Sequence, residues 1–447
     1  MIRKPDSTHY RAAEAIVRRL REAGHQAFLA GGCVRDLLLG AEPKDYDIAT
    51  SATPDQVRGL FARTEPVGAE FGVVLVMADG QGVQVATFRT ETGYSDGRHP
   101  DSVSFAELAE DAQRRDFTIN GLYWDPESDS VLDLVGGQRD LRRRLVRAIG
   151  DPEQRFREDH LRIIRAFRFA ARLRFRIHVS TRRALKALAP LAAEVSAERL
   201  QQELRIILTD RSPALALRMM DELGILTRLF PELEDAKGCE QPDNYHPEGD
   251  VFVHTILTVE KLGPRPDFVA AMAALLHDIG KPEASRRSGP KRFPEHERIG
   301  AQMAYQVCRR LRLPKAETER ICWLVKRHMY LRDAAKMKDS TLKRLFVEPG
   351  FDQLLELHRI DSLASWGRME HIEHVLAKRR QMSEQEINPP TLINGHDLIE
   401  RGYKPGRALG KILEAVREMQ LQGEIKDRKA ALGAAERIAS QIGAARS

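Results

Sequence analysis

Residues 28–50 of the chain read FLAGGCVRDLLLGAEPKDYDIAT, and this stretch decides how the N-terminal part folds. An apolar strand runs into Gly31-Gly32, and a helix that carries Arg35 follows at once. Because glycine has no side chain, backbone amides at such a turn can approach a phosphate group closely. We therefore predict that Gly31, Gly32 and Arg35 belong to a phosphate-binding turn.

Asp45 and Asp47 follow this helix as a DxD pair. Alternation along a strand points both carboxylates to the same face, where they repel each other unless a cation lies between them. Mg²⁺ suits the arrangement because it takes one or two protein carboxylates and completes its octahedron with water and phosphate oxygens. A lone DxD pair is more often a turn or a helix cap. The preceding glycine turn favours the metal-binding interpretation.

The pattern of apolar residues changes near residue 150. Before it, apolar runs with strand character alternate with short helical stretches; after it, apolar residues recur at helical spacing among arginines. The sequence therefore predicts an α+β protein with a small mixed-sheet head followed by an extended all-α part. The expected strands are 27–30, 73–77 and 83–88, and the polar connections are 234–250 and 383–393.

Composition points to a soluble cytoplasmic protein. The chain has 447 residues, of which 42% are hydrophobic, and it contains neither a secretory signal pattern nor an apolar run that could span a membrane. Its four cysteines lack metal-site spacing and are expected to be ordinary thiols. The formal charge is +6, and arginines are concentrated in 139–147 and 155–176. Charge alone leaves open whether these segments are solvated helix faces or a groove for a polyanion.

The motif GG-x-V-R-D followed by K-D-x-D-I resembles the polymerase-β-type nucleotidyltransferases, specifically the family of class II tRNA CCA-adding enzymes and bacterial poly(A) polymerases. The resemblance implies a Mg²⁺-dependent enzyme that adds CTP, CTP and ATP to the 3′ end of tRNA without a nucleic-acid template. Its expected partners are tRNA, ATP and CTP, with no membrane and no obligate protein partner. Addition of A alone and addition of poly(A) are the alternatives within the family.

Further family motifs follow in the same order along the chain. Residues 111–121 (DAQRRDFTING) match the RRD motif, which by resemblance contacts the sugar and triphosphate of the nucleotide, and Asp133 with Gly136-Gly137 matches the next motif. The EDxxR motif and its arginine extension are also present. The nucleotide-binding residues that these motifs imply are Arg115, Asn120, Asp159, Arg162, Arg165 and Arg168, and Asp116 is a candidate catalytic carboxylate.

Asp159 and Arg162 are candidates for reading the base. Three residues apart on a predicted helix, they would present an acceptor beside a donor on one face. Cytosine and adenine each show an amino donor beside a ring-nitrogen acceptor, whereas uracil and guanine show the reverse. A mispaired buried polar group costs roughly 1–3 kcal/mol, so one Asp/Arg pair can select C and A. An ordinary salt bridge on a charged helix is the alternative.

Three segments bear on which family activity applies. The loop 91–105, with Tyr94, Arg98 and His99, matches a loop that the family associates with addition of the terminal A, although a plain surface loop is an alternative. Residues 67–76 (VGAEFGVVLV) lack the basic sequence of the poly(A) polymerase branch. Where relatives often carry an acidic residue, this chain has Gln84, which makes a third metal-binding carboxylate there doubtful. Asp116 is the nearest acidic substitute.

A second set of candidate ligands begins at His254. Together with the pair His277-Asp278 and the later Asp361, it resembles the HD phosphohydrolase superfamily. The resemblance implies a site for Mn²⁺, Ni²⁺ or Fe²⁺ that hydrolyses phosphoesters. Two further histidines, His296 and His328, are expected to support a second metal or to contact phosphate. A decayed scaffold that only grips tRNA remains the alternative for this region.

These patterns predict four parts: a nucleotidyltransferase head at 1–150, a helical neck at 151–235, an HD domain at 245–375 and a helical tail at 385–447. The tail contains the turn GYKPG, which is also seen in HD-bearing members of the family. Two readings of another kind stay open. In the first, the chain is an HD-type phosphohydrolase with an RNA-binding head; in the second, it is a noncatalytic RNA-binding protein.

Overall fold

The computed structural model describes residues 2–65, 72–93, 97, 102–242, 247 and 249–442. The chain divides into two compact units, one formed by 1–234 with 310–312 and the other by 235–309 with 313–447. Every named strand of the described residues lies in the first unit, and helices make up most of the rest. The predicted α+β class is therefore confirmed.

A seven-stranded mixed sheet forms the framework of the first unit. Its strand order is β3-β4-β5-β2-β1-β8-β9; β2 and β5 run parallel and the other neighbours antiparallel. Two further two-stranded sheets pair β6 with β7 and β10 with β11. The strands are β1 (Ala27–Ala30), β2 (Asp47–Thr50), β3 (Thr64–Glu65), β4 (Val73–Ala78), β5 (Gln81–Thr87), β6 (Arg89–Thr92), β7 (Ser102–Phe105), β8 (Leu122–Asp125), β9 (Ser130–Asp133), β10 (Leu145–Val146) and β11 (Arg176–Ile177).

In the first unit, the earlier helices alternate with the strands of the sheet, and the later helices form a mostly helical part. Ser7 caps the first helix by accepting from Tyr10 N, and this helix buries Ile16 and Leu20. The helices are α1 (Thr8–Glu22), α2 (Gly32–Leu38), α3 (Pro54–Leu60), α4 (Leu108–Arg114), α5 (Gly137–Arg143), α6 (Pro152–Glu158), α7 (Leu161–Leu173), α8 (Val179–Ala187), α9 (Ala197–Leu208), α10 (Pro213–Glu222) and α11 (Leu226–Leu229).

The second unit is helical. Its helices are α12 (Val251–Lys261), α13 (Phe268–Leu276), α14 (Lys281–Ser288), α15 (His296–Arg310), α16 (Lys315–Arg327), α17 (Asp339–Phe346), α18 (Phe351–Ala364), α19 (Glu370–Gln381), α20 (Glu384–Ile387), α21 (Gly395–Ile399), α22 (Arg407–Gln422) and α23 (Arg428–Gln441). As expected, the turn at 402–406 leads into α22, which packs on α23 around Ile412 and Val416. Among the described residues, none of the helices combines the length and the apolar character that crossing a bilayer requires.

The three strands predicted from apolar runs are present. The expected strands at 27–30, 73–77 and 83–88 correspond to β1, β4 and β5. The chain after Asp151 is mostly helical, as expected; one short strand interrupts the helices, because Arg176–Ile177 pairs in parallel with Leu145–Val146. A two-residue strand is too short to show alternation, and only the tertiary pairing defines it.

Candidate functional sites

At the glycine turn between β1 and α2, the backbone of Gly31 lies close to the side chain of Arg115. Gly31 has φ of 77°, a conformation that favours glycine, and a Cβ there would lie 2.9 Å from Arg115 Nη1. Its N–H donates to Leu122 O over 2.9 Å. The sheet therefore uses the amide of Gly31, so a phosphate at the predicted binding turn would meet the amides that follow it. The first turn of α2 begins at Gly32, has no side-chain cap, and its amides have no partner within the helix.

Asp45 and Asp47 are both exposed, with the buried Tyr46 between them. The alternation holds, but only Asp47 belongs to a strand; Asp45 lies in a bend before it. The ladder between β1 and β2 ends at the pair Ala30↔Asp47 because the partner chain turns away at Gly31. Although the side chain of Asp47 is exposed, the protein atoms packed around it remove part of its hydration and raise its pKa; Asp45 raises this pKa further, and Arg115 opposes the rise. The pair thus concentrates negative charge at the end of a strand.

Gln84 lies beside Asp47, because β5 runs parallel to β2 in the register Asp47↔Gln84, and its side chain is exposed. In this chain an amide therefore occupies the position where a third carboxylate would flank the pair. Among the described residues, the three-ligand groups lie in the second unit, and Asp116 is not grouped with Asp45 and Asp47.

Asp116 belongs instead to a buried polar network that joins the sheet to α7. Its carboxylate accepts from Asn120 Nδ2 at 3.0 Å and from Arg165 Nη2 at 2.6 Å. Burial alone raises its pKa, but Arg165 and Asn120 outweigh burial and lower the pKa to about 2. Arg35 extends the network, because its Nη1 donates to Asn120 Oδ1 at 2.7 Å. Four predicted site residues, Arg35, Asn120, Asp116 and Arg165, are therefore brought together.

Arg115 connects the glycine turn to the carboxylate pair. It donates to Asp111 Oδ2, to Tyr123 OH and to Asn120 O, and its guanidinium lies 4.8 Å from the centre of the Tyr123 ring. These contacts hold a positive charge close enough to Asp47 to oppose, without reversing, the rise in the pKa of that carboxyl. The arrangement suits a cation that faces phosphate groups.

The base-reading pair needs a correction. Asp159 does not share a helix with Arg162: it ends α6 with an extended backbone, and α7 starts two residues later. Instead of facing each other, the two side chains have other partners. The Asp159 carboxylate pairs with Arg199 over 3.0 and 3.1 Å, and Arg162 donates to Glu158 Oε2 at 3.0 Å. The spacing in sequence does not reveal the helix break.

The next two arginines of α7 face Glu203 of α9. Arg168 Nε lies 3.0 Å from Glu203 Oε2, although the angle is unsuited to a hydrogen bond, and Arg165 Nη1 lies 3.8 Å from Oε1. Burial and the nearby Arg165 lower the pKa of Arg168 to about 10. Glu203 is buried and was not singled out from the sequence, because a glutamate inside an amphipathic helix gives no distinctive signal.

Parts of two predicted segments lie outside the described residues. In the loop 91–105 these include Tyr94, Arg98 and His99, whereas Gly97 is described and accepts at its carbonyl from His160 N over 3.2 Å. In the segment 67–76, the described part begins at Gly72 and leads into β4.

In the second unit, the predicted HD residues converge from separate helices. His254 lies on α12, Asp361 on α18 and His296 at the start of α15, while His277 and His328 directly follow α13 and α16. Two groups form, His254-His277-Asp278 and Asp278-His296-His328, and within each group the ligand atoms lie within 4.8 Å of one another. His254 Nε2 is 2.9 Å from Asp361 Oδ1. The structure thus brings all six predicted residues together, with Asp278 common to both groups.

Backbone contacts orient the imidazoles of His277, His296 and His328 alike. Each Nδ1 lies 2.7–2.8 Å from the carbonyl oxygen three residues earlier, which assigns the proton to Nδ1 and leaves a lone pair on Nε2. His296 Nε2 and His328 Nε2 then face each other at 3.2 Å, and a cation between such lone pairs removes their repulsion. Burial, with His328 adding to it, lowers the pKa of His296 to about 3, so this imidazole is neutral.

Asp278 belongs to both groups. Its two oxygens are buried and make no hydrogen bond of good geometry, although Lys281 Nζ lies 2.6 Å from Oδ2. Buried carboxylate oxygens of this kind fit a bound metal. Gly280 allows the close packing, because a Cβ there would lie 2.2 Å from His296 O.

A cavity of about 770 Å³ opens onto this cluster. Several polar and aromatic residues that line this cavity were not predicted. Of these, only Lys281 could have been recognised from the sequence, because it ends the HDIGK stretch. Of the others, Arg332 comes from one segment and the remaining five lie within residues 358–374, and only the fold brings these two segments to the cluster. These residues are Lys281, Arg332, His358, Trp366, Arg368, His371 and His374.

Three domain models match the chain, in the order that the motifs predict. The Poly A polymerase head domain matches residues 27–147, the Probable RNA and SrmB- binding site of polymerase A matches 174–237, and the HD domain matches 252–379. A CCA-adding enzyme of Ligilactobacillus salivarius is 30% identical over 424 residues, which cover 93% of both chains.

The chain belongs to the CCA-adding enzyme family. Relatives within the family that are more similar align over shorter stretches: the enzyme of Limosilactobacillus reuteri is 39% identical over 56% of this chain and 63% of its own, and that of Geobacillus thermodenitrificans is 43% identical over 49% and 54%. In these alignments the chain spans a little over half of the relative's length.

Solved CCA-adding enzymes share the fold along nearly the whole chain. The Bacillus stearothermophilus enzyme in complex with CTP has a TM-score of 0.74 and 27% identity, and covers 98% of this chain and 99% of that one. The Thermotoga maritima enzyme complexed with tRNA has a TM-score of 0.62 at 21% identity, with 98% and 97% coverage, which supports the fold alone.

Proposed function

We propose that this chain adds CTP, CTP and ATP to the 3′ end of tRNA without a nucleic-acid template. The proposal rests on one observation above all: an exposed Asp45/Asp47 pair lies at a strand end, with Arg115 close to both Asp47 and the Gly31 turn. Curated relatives and solved structures named as CCA-adding enzymes, including complexes with CTP, ATP and tRNA, support the choice within the family.

The carboxylate pair fits divalent metal, and both matched catalytic domain types are of a kind that works with such metals. We infer Mg²⁺ at Asp45 and Asp47, because both ligands are hard oxygens exposed at the surface. When bound, Mg²⁺ would activate the 3′ hydroxyl and neutralise charge on the transferred phosphoryl group. Arg115 and the first amides of α2 would hold the triphosphate, with Gly31 permitting the approach of Arg115.

We assign nucleotide choice to Asp159 and Arg162, with Arg165 and Arg168 nearby. A carboxylate acceptor and a guanidinium donor suit the edges of cytosine and adenine and leave uracil and guanine with mispaired groups. Arg35, Asn120 and Asp116 would act by holding Arg165, since their hydrogen bonds form one chain with it. We also propose four parts along the chain: a head at 1–150, a neck at 151–235, an HD domain at 245–375 and a tail at 385–447.

The test supplies tRNA that ends at the discriminator base with labelled CTP and ATP, first separately and then together. A CCA-adding enzyme incorporates CTP alone and then ATP after CC. An enzyme that adds only A requires a CC end, and a poly(A) polymerase extends with ATP without using CTP. Failure to use CTP on this substrate contradicts the proposal.

A second function is favoured by the HD cluster in the other unit. Three imidazoles with Nε2 lone pairs, the buried carboxylate of Asp278, the half-buried carboxylate of Asp361 and an adjoining cavity are suited to a metal-dependent phosphohydrolase. A metal bound there would lower the pKa of a water molecule and supply the nucleophile. Lys281, Arg332 and Arg368 line the cavity and would bind the phosphate. Mn²⁺, Ni²⁺ and Fe²⁺ are our candidates, because imidazole ligands predominate.

Phosphomonoesters and 2′,3′-cyclic nucleotides are the substrates to test, each with Mg²⁺, Mn²⁺, Ni²⁺ or Fe²⁺. Hydrolysis that His277→Ala removes while CCA addition persists supports the second function. If no metal elicits hydrolysis from the wild-type protein, the cluster is a scaffold and the second function is rejected.

A further inference from the structure

Two charged side chains of helix α9 contact the proposed nucleotide-selecting residues. Arg199 and Glu203 are four residues apart and therefore lie on one face of the helix. Arg199 pairs with Asp159, and Glu203 contacts Arg165 and Arg168. Neither belongs to the motifs that carried the family resemblance.

The contact between Arg199 and Asp159 fixes the direction of the carboxylate. Arg199 Nη1 lies 3.0 Å from Asp159 Oδ1, and Nη2 donates to Oδ2 over 3.1 Å, so the guanidinium fork holds both oxygens. Leu161 N also donates to Oδ1 at 3.1 Å. Of about four lone-pair sites on a carboxylate, three are thus occupied, and the remaining acceptor direction is defined.

We propose that Arg199 is a positioning residue for nucleotide selection: it prevents the Asp159 carboxylate from rotating, so that this group accepts only from a base with an amino group at that position. The inference rests on the proposed function, because it takes Asp159 as the base reader. A carboxylate that cannot turn repels the carbonyl oxygen that uracil presents in place of the amino group of cytosine. A carboxylate released from Arg199 can turn away and tolerate uracil.

The test compares initial rates of CTP and UTP incorporation on tRNA that ends at the discriminator base. For Arg199→Ala we expect the ratio of kcat/KM for CTP over UTP to fall about tenfold, as loss of one discriminating polar contact implies. Arg199→Lys should restore part of the ratio, since lysine keeps the charge but not the two-pronged contact. Gln202→Ala, at an exposed position of α9, is the matched control and should keep the wild-type ratio.

A double-mutant cycle separates positioning from general damage. In an Asp159→Ala background, Arg199→Ala should lower the ratio no further, because the group that it positions is gone. Equal loss of CTP and UTP incorporation in Arg199→Ala, with an unchanged ratio, overturns the inference. If Asp159→Ala itself leaves the ratio unchanged, the base-reading part of the proposed function fails instead. Thermal unfolding of each variant reports whether the fold is retained.

Discussion

The two candidate metal sites differ in the way the chain presents their ligands. In the first unit, Asp45 and Asp47 are exposed oxygens on one side of a short strand and its preceding bend. In the second unit, His254, His277 and Asp278 are almost fully buried; His254 lies on α12, and the pair His277-Asp278 follows α13. Exposed carboxylates suit a metal that arrives with a nucleotide, whereas a buried cluster of imidazoles suits a resident metal. The two sites should therefore respond differently to mutation, chelation and pH.

The largest expected effect separates the two sites by chemistry. Replacing both Asp45 and Asp47 by alanine should lower CTP incorporation by about three orders of magnitude or more, because no ligand remains to hold metal against the triphosphate. Hydrolysis of phosphoesters should stay within about twofold of wild type. Primer extension and phosphate release, measured on one preparation, provide both values. Loss of hydrolysis as well would show that the sites are not independent.

The reciprocal change is His277→Ala. It removes one member of the first ligand group and should lower hydrolysis by about a hundredfold or more, with less metal retained after gel filtration. Nucleotide incorporation should remain close to wild type, because His277 lies in the other unit. His396→Ala, at an exposed position in the tail, serves as a control for replacing a histidine in this unit. Unchanged metal content in His277→Ala would argue against a resident metal.

Metal removal should distinguish the sites by stability. A ligand present at a hundred times its dissociation constant stabilises the folded state by about 2.7 kcal/mol, so chelation should lower the Tm of the second unit by about 5 °C. The Asp45/Asp47 pair should contribute no such shift, and adding Mg²⁺ should restore incorporation at once. Calorimetry before and after treatment with EDTA provides the measurement, with His277→Ala as the variant that should no longer respond.

The smallest expected effect concerns a histidine that differs from the metal ligands. His358 is buried, its Nε2 accepts from Leu331 N at 3.2 Å, and burial lowers its pKa to about 3 from an ordinary value of 6.5. Below pH 6.5 this histidine takes up a proton in the unfolded chain but stays neutral in the folded protein. The free energy of unfolding therefore falls as pH decreases from 6.5 toward 3. One such group contributes about 1.4 kcal/mol per pH unit in that range.

His358→Gln should therefore weaken the loss of stability between pH 6.5 and 5.5 in metal-free protein. The measurement is urea unfolding at both pH values, and His396→Gln is the control at an exposed position of the same unit. If His358→Gln leaves the pH dependence unchanged, the histidine is not held neutral in the fold. His296, whose pKa is also lowered to about 3, adds to the same trend in the wild-type protein.

Local sequence was sufficient to predict the features that arise from short-range rules. The glycine turn before α2 uses the positive φ that glycine adopts readily, and three apolar runs form β1, β4 and β5. The spacing of Asp45 and Asp47 exposes both carboxylates, whereas Tyr46 between them is buried, even though Asp45 precedes the strand. The ordered histidines and aspartates of the HD region likewise indicated which residue types would meet.

Tertiary structure decided which partner each charged group takes. The break between α6 and α7 separates Asp159 from Arg162 and gives the carboxylate to Arg199, forty residues away in sequence. Helix packing brings Glu203 to two arginines and encloses the cavity beside Asp278. Hydrophobic spacing and backbone propensity act over a few residues and can be read along the chain. A buried charge finds its partner among all groups that the fold brings within a few ångströms, and only the packed molecule determines that set.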